Sequence, residues 1–233
     1  PCNASGTAEA PAFHFCLEED EDGEDVPVSS RSAPPDQLFL PSPNSPSYKP
    51  RRSRHQHNRN GASKGQIGIL HSLVNLSTTE WNLLEEQVPG CKQFVQTKLD
   101  SLTLQGNYIN WAHGATSLAL LWIRASQVFQ SKAYLLQACQ LCESTIWPKA
   151  TKAQLSIGLA KGQTGIAFLC LSLAECCEKP ISTLWQRRAE FLARMALTKS
   201  PTDSSEKYSL YHGFAGLASL LLQLQQPRNH KIH

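Results

Sequence analysis

The sequence lacks any apolar run of the roughly 18 residues that a membrane-spanning helix needs, which excludes a transmembrane protein. It also lacks a strong excess of one charge. The net charge of +3 is too small to predict a nucleic-acid-binding protein. The only methionine is Met195, and the first residues do not resemble a secretory signal. We therefore expect a fragment or a processed chain with a cytoplasmic location.

Cysteine is too sparse for a disulfide scaffold, since the 233 residues include only eight cysteines and such scaffolds exceed roughly 8%. Cys139 and Cys142 have the CxxC spacing of zinc and redox sites. They also continue an apolar pattern with Leu135, Ala138 and Ile146 at three- and four-residue steps, which predicts one face of a buried helix. The helix-face interpretation is favoured, and metal or redox chemistry is the alternative.

Residues 1–60 differ in composition from the rest of the chain. They contain an acidic run at 18–25, a Pro/Ser-rich stretch at 34–50 and a basic run from Lys49 to Arg59. Few apolar side chains are available to offset the entropy of ordering this segment, so we predict disorder. The basic run is read as a solvated charge cluster, with a nuclear signal or membrane-surface attachment as the alternatives.

From residue 61 onward the apolar residues follow helical periods, and no convincing strand alternation is found. The stretches 118–129, 166–173 and 217–224 are apolar nearly all round, as in helices enclosed by other helices. The fold class is therefore predicted to be all-α.

One-sided apolar patterns between these stretches predict amphipathic helices. Ser77 and Glu80 have the spacing of a capping box at the start of one such helix. A second is expected to begin near Lys132 and to end at Pro148, and a third to follow Pro180.

The strongest pattern is a glycine, preceded by Lys or His, that opens each apolar helix. The four copies are Lys64-Gly65, His113-Gly114, Lys161-Gly162 and His212-Gly213. Their spacing of about 50 residues suits a helical hairpin with its connections. Alternating enclosed and amphipathic helices predict an α/α toroid, with the four loops around a cavity at one end. A tight turn that holds no ligand is the alternative explanation of the glycines.

These motif stretches resemble those of the lanthionine synthetase C-like (LanC-like) proteins, and the animal members most closely. The matching stretches lie at 61–65, 111–115, 158–162 and 208–216. The resemblance covers residues 61–227, with a tail at 228–233. It implies a partial α/α toroid of about four of the family's seven hairpins. We expect the open edges to invite a partner chain that completes the toroid, unless the sequence is a fragment or the product of a decayed gene.

The resemblance also implies a zinc site, from which this sequence departs. In the family enzymes, two Cys and one His of the second and third motifs bind a zinc ion that activates a thiol. The corresponding residues here are Ala112, Ala160 and Lys161. Alanine has no donor atom and a protonated lysine cannot ligate a cation, so we expect no metal and no other cofactor.

The residues before the four glycines are the candidate ligand-binding site: Lys64, His113, Lys161 and His212. The resemblance makes Lys64, His113 and His212 the candidates for catalysis, although only His113 keeps the family's residue. A cation near a helix N-terminus is disfavoured by the helix dipole. We therefore expect a bound anion, such as a carboxylate of glutathione or a phosphate, with simple hydration of the lysines as the alternative.

Three functions follow from these residues and the resemblance. The favoured one is a LanC-like pseudoenzyme that binds an anionic small molecule or acts as a scaffold. The alternative is the family activity, in which a thiol, glutathione in eukaryotic members, adds to dehydroamino acids. A glycan-processing α/α barrel is ranked last, because the motif loops lack a pair of carboxylates and the nearest candidates fall late in helices: Glu143, Glu175 and Glu178.

Overall fold

The computed structural model describes residues 61–63, 65–104, 106–199 and 206–226, and all of them lie in helices, turns and loops. The predicted all-α class is confirmed for this part of the chain. None of the helices in these ranges is both long and apolar enough to cross a membrane. The predicted disordered segment and the predicted tail lie outside the described residues. The α-helices are α1 (Gln66–Val74), α2 (Thr78–Gln87), α3 (Cys91–Asp100), α4 (Ala115–Val128), α5 (Lys132–Leu141), α6 (Trp147–Ala150), α7 (Gln163–Cys176), α8 (Ile181–Leu197) and α9 (Phe214–Gln225).

The inner helices are the four that follow the motif glycines, namely α1, α4, α7 and α9. Consecutive inner helices pack against each other, α1 on α4, α4 on α7 and α7 on α9. The most enclosed is α7, in which ten of fourteen residues are buried. The predicted all-round apolar stretches fall on α4, α7 and α9. This packing order is the one expected of part of an α/α toroid.

The outer helices cover the inner ones with one apolar face each. In α8, the predicted face of Trp185, Ala189, Leu192 and Ala196 is buried, and this helix packs on α7. The first hairpin has two short outer helices, α2 and α3, separated by a left-handed turn at Gly90 (φ 83°). The capping box of α2 is present as predicted.

The prediction that the second outer helix ends at Pro148 is wrong. The helix passes from α5 through a π-helical turn, Cys142–Ile146, into α6, which ends at Ala150. In the π turn the N–H of Trp147 donates to the carbonyl of Cys142, five residues earlier. Pro148 then lies in the first turn of α6, directly after the π turn, so the missing proline N–H falls where the helical hydrogen-bond pattern changes.

The core consists of two clusters of buried apolar side chains, one around α4 to α9 and one around α1 to α4. The CxxC segment belongs to the first. Ala138, Cys142 and Ile146 are buried in it, and Leu135 and Cys139 pack against it. The helix-face interpretation of the two cysteines is confirmed, and both thiols are free.

Candidate functional site

The motif-loop end is the end of the inner helices formed by residues 61–63, 108–114, 156–162 and 206–213. In three of these loops the backbone crosses itself too closely for a side chain. A Cβ atom on Gly114 would collide with the carbonyl oxygen of Tyr108, and one on Gly213 with that of Glu206. In the first, third and fourth copies of the motif a second glycine, three residues later, meets a carbonyl in the same way, as Gly216 does with Leu210. The turn itself therefore explains these glycines, without a ligand.

A backbone ladder joins the four loops in chain order. The N–H of Ser63 donates to the carbonyl of Ala112 (3.3 Å), and the N–H of Ala112 donates to that of Ala160 (3.0 Å). The N–H of Ala160 donates in turn to the carbonyl of Tyr211 (2.9 Å). Each of these residues immediately precedes one of the four cationic positions. Equivalent positions of successive repeats are thus neighbours.

His113 lies in the second loop and is partly buried. Its ring Nδ1 is 3.4 Å from the hydroxyl oxygen of Ser63, in the first loop. Its backbone N–H donates to the side-chain oxygen of Asn110 at 2.9 Å. These contacts orient the imidazole between the first and second loops.

The other candidates differ in exposure. Lys161 is exposed in the third loop. His212 in the fourth loop is about one third exposed, and its Nδ1 lies 3.8 Å from a carboxylate oxygen of Glu206, an ion pair whenever the imidazole is protonated. Lys64 lies outside the described residues. The structure thus brings three of the four predicted residues to neighbouring loops.

The positions that the family resemblance predicts as zinc ligands adjoin one another at this end. Ala112 and Ala160 are both buried and are joined by the 3.0 Å backbone hydrogen bond. The methyl groups of the two alanines supply no lone pair to a metal ion, and Lys161 is exposed to solvent. Throughout the described ranges, no cluster of three or more His, Cys, Asp or Glu side chains could hold a metal ion. The donor set therefore does not fit zinc. That the protein binds no zinc stays a prediction.

Sequence reasoning assigned no role to two aromatic residues of the loops. The ring of Trp111, in the second loop, stacks with the ring of Tyr211, in the fourth loop, and the two ring centroids are 6.4 Å apart. Both precede a motif glycine by two or three residues, which is the signal that could have drawn attention to them.

The buried Gln163, the first residue of α7, has a side-chain oxygen without a hydrogen-bond partner.

A cleft of about 380 Å³ lies away from the motif loops, between α3 and the start of α5. In its wall the hydroxyl of Tyr134 donates to a carboxylate oxygen of Asp100 at 2.8 Å. Burial and this neighbour raise the pKa of Tyr134 to about 12. The cleft contains none of the residues predicted to bind a ligand.

A family model described as "Lanthionine synthetase C-like protein" matches residues 36–233. The chain belongs to this family. The LanC-like chain is 27% identical over 190 residues to the LanC-like protein GCL1 of Arabidopsis thaliana. It is 26% identical over 188 residues to a protein of Danio rerio named Glutathione S-transferase LANCL1. These matches cover 74% of this chain but 42% and 44% of the relatives, so the chain spans less than half of their length.

The predicted family resemblance is therefore confirmed. The match begins at residue 36, before the start at residue 61 that the motif stretches predicted. The narrower prediction, that the animal members are the most similar, stays a prediction, as do the cytoplasmic location and the absence of nucleic-acid binding.

Proposed function

We propose that this LanC-like protein is a pseudoenzyme that binds an anionic small molecule, such as glutathione, at the motif-loop end. One observation carries the proposal. Ala112 and Ala160 adjoin at the family's metal position, while His113 and Lys161 lie in the same two loops and His212 lies in the neighbouring fourth loop. The site thus combines a missing donor set with cationic or titratable side chains.

The missing donors bear on catalysis through the pKa of the attacking thiol. A thiol attacks as its thiolate, and coordination to a metal ion is what deprotonates it most effectively near neutral pH. A lysine such as Lys161 lowers a thiol pKa only through its field, which is a much weaker effect. Binding without efficient thiol addition is the consequence.

Side chains rather than helix amides would hold the anion. The first N–H of α4, α7 and α9 already donates within its own loop, to Tyr108, Ser156 and Lys207 respectively. The dipoles of the three helices still favour negative charge at this end. Lys161 is exposed, which also suits the alternative in which this lysine is only hydrated.

Thiol addition is the second candidate, because the Danio rerio relative is named a glutathione S-transferase. It requires either metal ligands from elsewhere or a metal-free route. The glycan-processing candidate gains no support, since Glu143 forms a 2.7 Å ion pair with Arg188 of α8, away from the motif loops.

A scaffolding role with a protein partner is a further part of the proposal. Apolar side chains are exposed on the first and last inner helices, with Ile69 at 66% and Leu222 at 65%. A partner chain that covers these helices would complete the toroid.

The test combines metal analysis with glutathione titration. We expect purified protein expressed with zinc to contain well under one equivalent of zinc, and glutathione to raise its melting temperature. The variant Lys64→Met/Lys161→Met should lose most of this rise. Lys132→Met is the matched control. Lys132 follows the far end of α4, and this helix of fourteen residues separates it from the motif-loop end by about 21 Å.

Each result has a distinct meaning. Near-stoichiometric zinc, or glutathione addition to a dehydroalanine peptide, would support thiol transfer instead. If glutathione stabilises the wild type and the double variant equally, the two lysines do not take part in binding it.

A further inference from the structure

Two thiols meet at the opposite end of the hairpins from the site proposed above. The Sγ atoms of Cys139, on α5, and Cys177, at the C-terminal cap of α7, are 3.8 Å apart. Both side chains are partly buried and therefore accessible to small molecules. The two residues belong to different hairpins and are 38 positions apart in sequence.

The two thiols are not equivalent. The hydrogen-bonded contact with the Cys177 thiol lowers the pKa of Cys139, against smaller opposing effects of burial and of the charge on Glu143. The same contact raises the pKa of Cys177, so Cys177 is the member of the pair that keeps its proton. A thiolate beside a thiol is the arrangement of an attacking and a resolving cysteine.

The neighbouring thiols lack this combination. Cys142 and Cys170 are fully buried, and their mutual hydrogen bond together with burial raises the pKa of Cys142. Cys176 accepts a hydrogen bond from the side chain of Gln127 at 3.2 Å, but burial raises its pKa. The described thiols of this region therefore comprise a deep pair, Cys142 and Cys170, the single Cys176, and the pair Cys139 and Cys177 nearer the surface.

We propose that Cys139 and Cys177 form a reversible disulfide when the protein meets a peroxide. The sulfur atoms are already in contact and must approach by only about 1.8 Å to reach the usual bond length. The bond would tie the outer helix of the second hairpin to the inner helix of the third.

The chemistry balances with hydrogen peroxide as the oxidant. The Cys139 thiolate attacks one peroxide oxygen, the O–O bond breaks, and hydroxide leaves, which yields a sulfenic acid. The released hydroxide takes up the proton that Cys139 lost on ionising and becomes the first water. The Cys177 sulfur then displaces the sulfenic hydroxyl, which leaves with the Cys177 proton as the second water. In total, two thiols and one peroxide yield one disulfide and two waters, and a dithiol reductant reverses the step.

The test is peptide mapping of the full chain before and after treatment with a few equivalents of hydrogen peroxide. We expect a cross-link between the peptides that contain Cys139 and Cys177, and tandem fragmentation distinguishes Cys177 from Cys176. Dithiothreitol should remove the cross-link. The oxidised protein should melt roughly 5–10 °C higher, because the cross-link closes a long loop in the unfolded chain.

Single variants test the two roles separately. In Cys177→Ser, a dimedone adduct should accumulate at Cys139, whereas Cys139→Ser should leave Cys177 unmodified. Cys176→Ser is the matched control and should retain the cross-link. The proposal is overturned if the wild-type map shows no Cys139–Cys177 cross-link, or if Cys139 pairs with Cys176 instead. This map decides the matter even where a variant fails to fold.

Discussion

At the scale of residues, His71 links two inner helices and makes stability depend on pH. Its Nε2 lies 3.2 Å from the carbonyl of Ser117 in α4, so this nitrogen carries the hydrogen. Burial lowers the pKa of His71, and the hydrogen bond opposes this by a smaller amount. The folded protein therefore holds the neutral ring, whereas the unfolded chain takes up a proton near pH 6.5.

We predict that stability falls as the pH drops from about 6.5 toward the lower folded-state pKa, by up to about 1.4 kcal/mol per pH unit. The unfolded chain binds the extra proton, so this contribution is fully present above pH 6.5. Urea unfolding at pH 7.5, 6.5 and 5.5 measures the effect, and His71→Gln should flatten the profile between these values. Parallel pH profiles for the wild type and the variant would contradict the prediction.

At the scale of elements, the inner helices α4, α7 and α9 each depend on a close backbone crossing at the N-cap glycine. A Cβ atom on Gly162, the N-cap of α7, would collide with the carbonyls of Ser156 and Gly158. These contacts are with backbone, which cannot move aside without displacing the loop. The crossing therefore connects the motif loop to the helix as one rigid turn.

We predict that Gly162→Ala lowers the free energy of unfolding by about 3 kcal/mol, through overpacking. The matched control is Gly90→Ala, where the added Cβ meets nothing within 4 Å and only the left-handed φ of 83° is unfavourable. That control should lose about 1 kcal/mol. Chemical denaturation of both variants compares the two effects, and equal losses would show that collision at the motif loop is unimportant.

At the scale of the whole molecule, all described residues fall within one of two units, the one with the bounds Asn58–His233. The composition of residues 1–57 predicts a segment that contributes little burial. The family match, however, begins at residue 36. These two boundaries lead to different expectations for truncation.

We predict that a chain beginning at Asn58 melts within about 2 °C of the full chain, because few apolar side chains are lost. Differential scanning calorimetry of both chains measures this. A chain beginning at residue 36 serves as the control. A lower melting temperature for the Asn58 chain alone would show that residues 36–57 belong to the folded unit.

Much of the helical architecture could be predicted from the sequence, because helix formation depends on local patterns of apolar and capping residues. The 3.6-residue period placed the buried face of α8 on Trp185 and Ala189, and the Ser77 pattern marked the start of α2. Repeated glycines identified the motif loops, since only glycine permits their backbone crossings. That Ala112 and Ala160 offer no side-chain donor to a metal ion could also be predicted, because a side chain's donor atoms depend on its identity alone.

Only the tertiary structure decided which distant residues meet. The ladder from Ser63 through Ala112 and Ala160 to Tyr211 joins loops about 50 residues apart, and no local period records such a pairing. The 3.8 Å contact between Cys139 and Cys177 has the same origin, since it depends on how two hairpins pack. Chemical identity and helical phase are local properties of the sequence, whereas proximity between repeats comes from the packing of the inner helices.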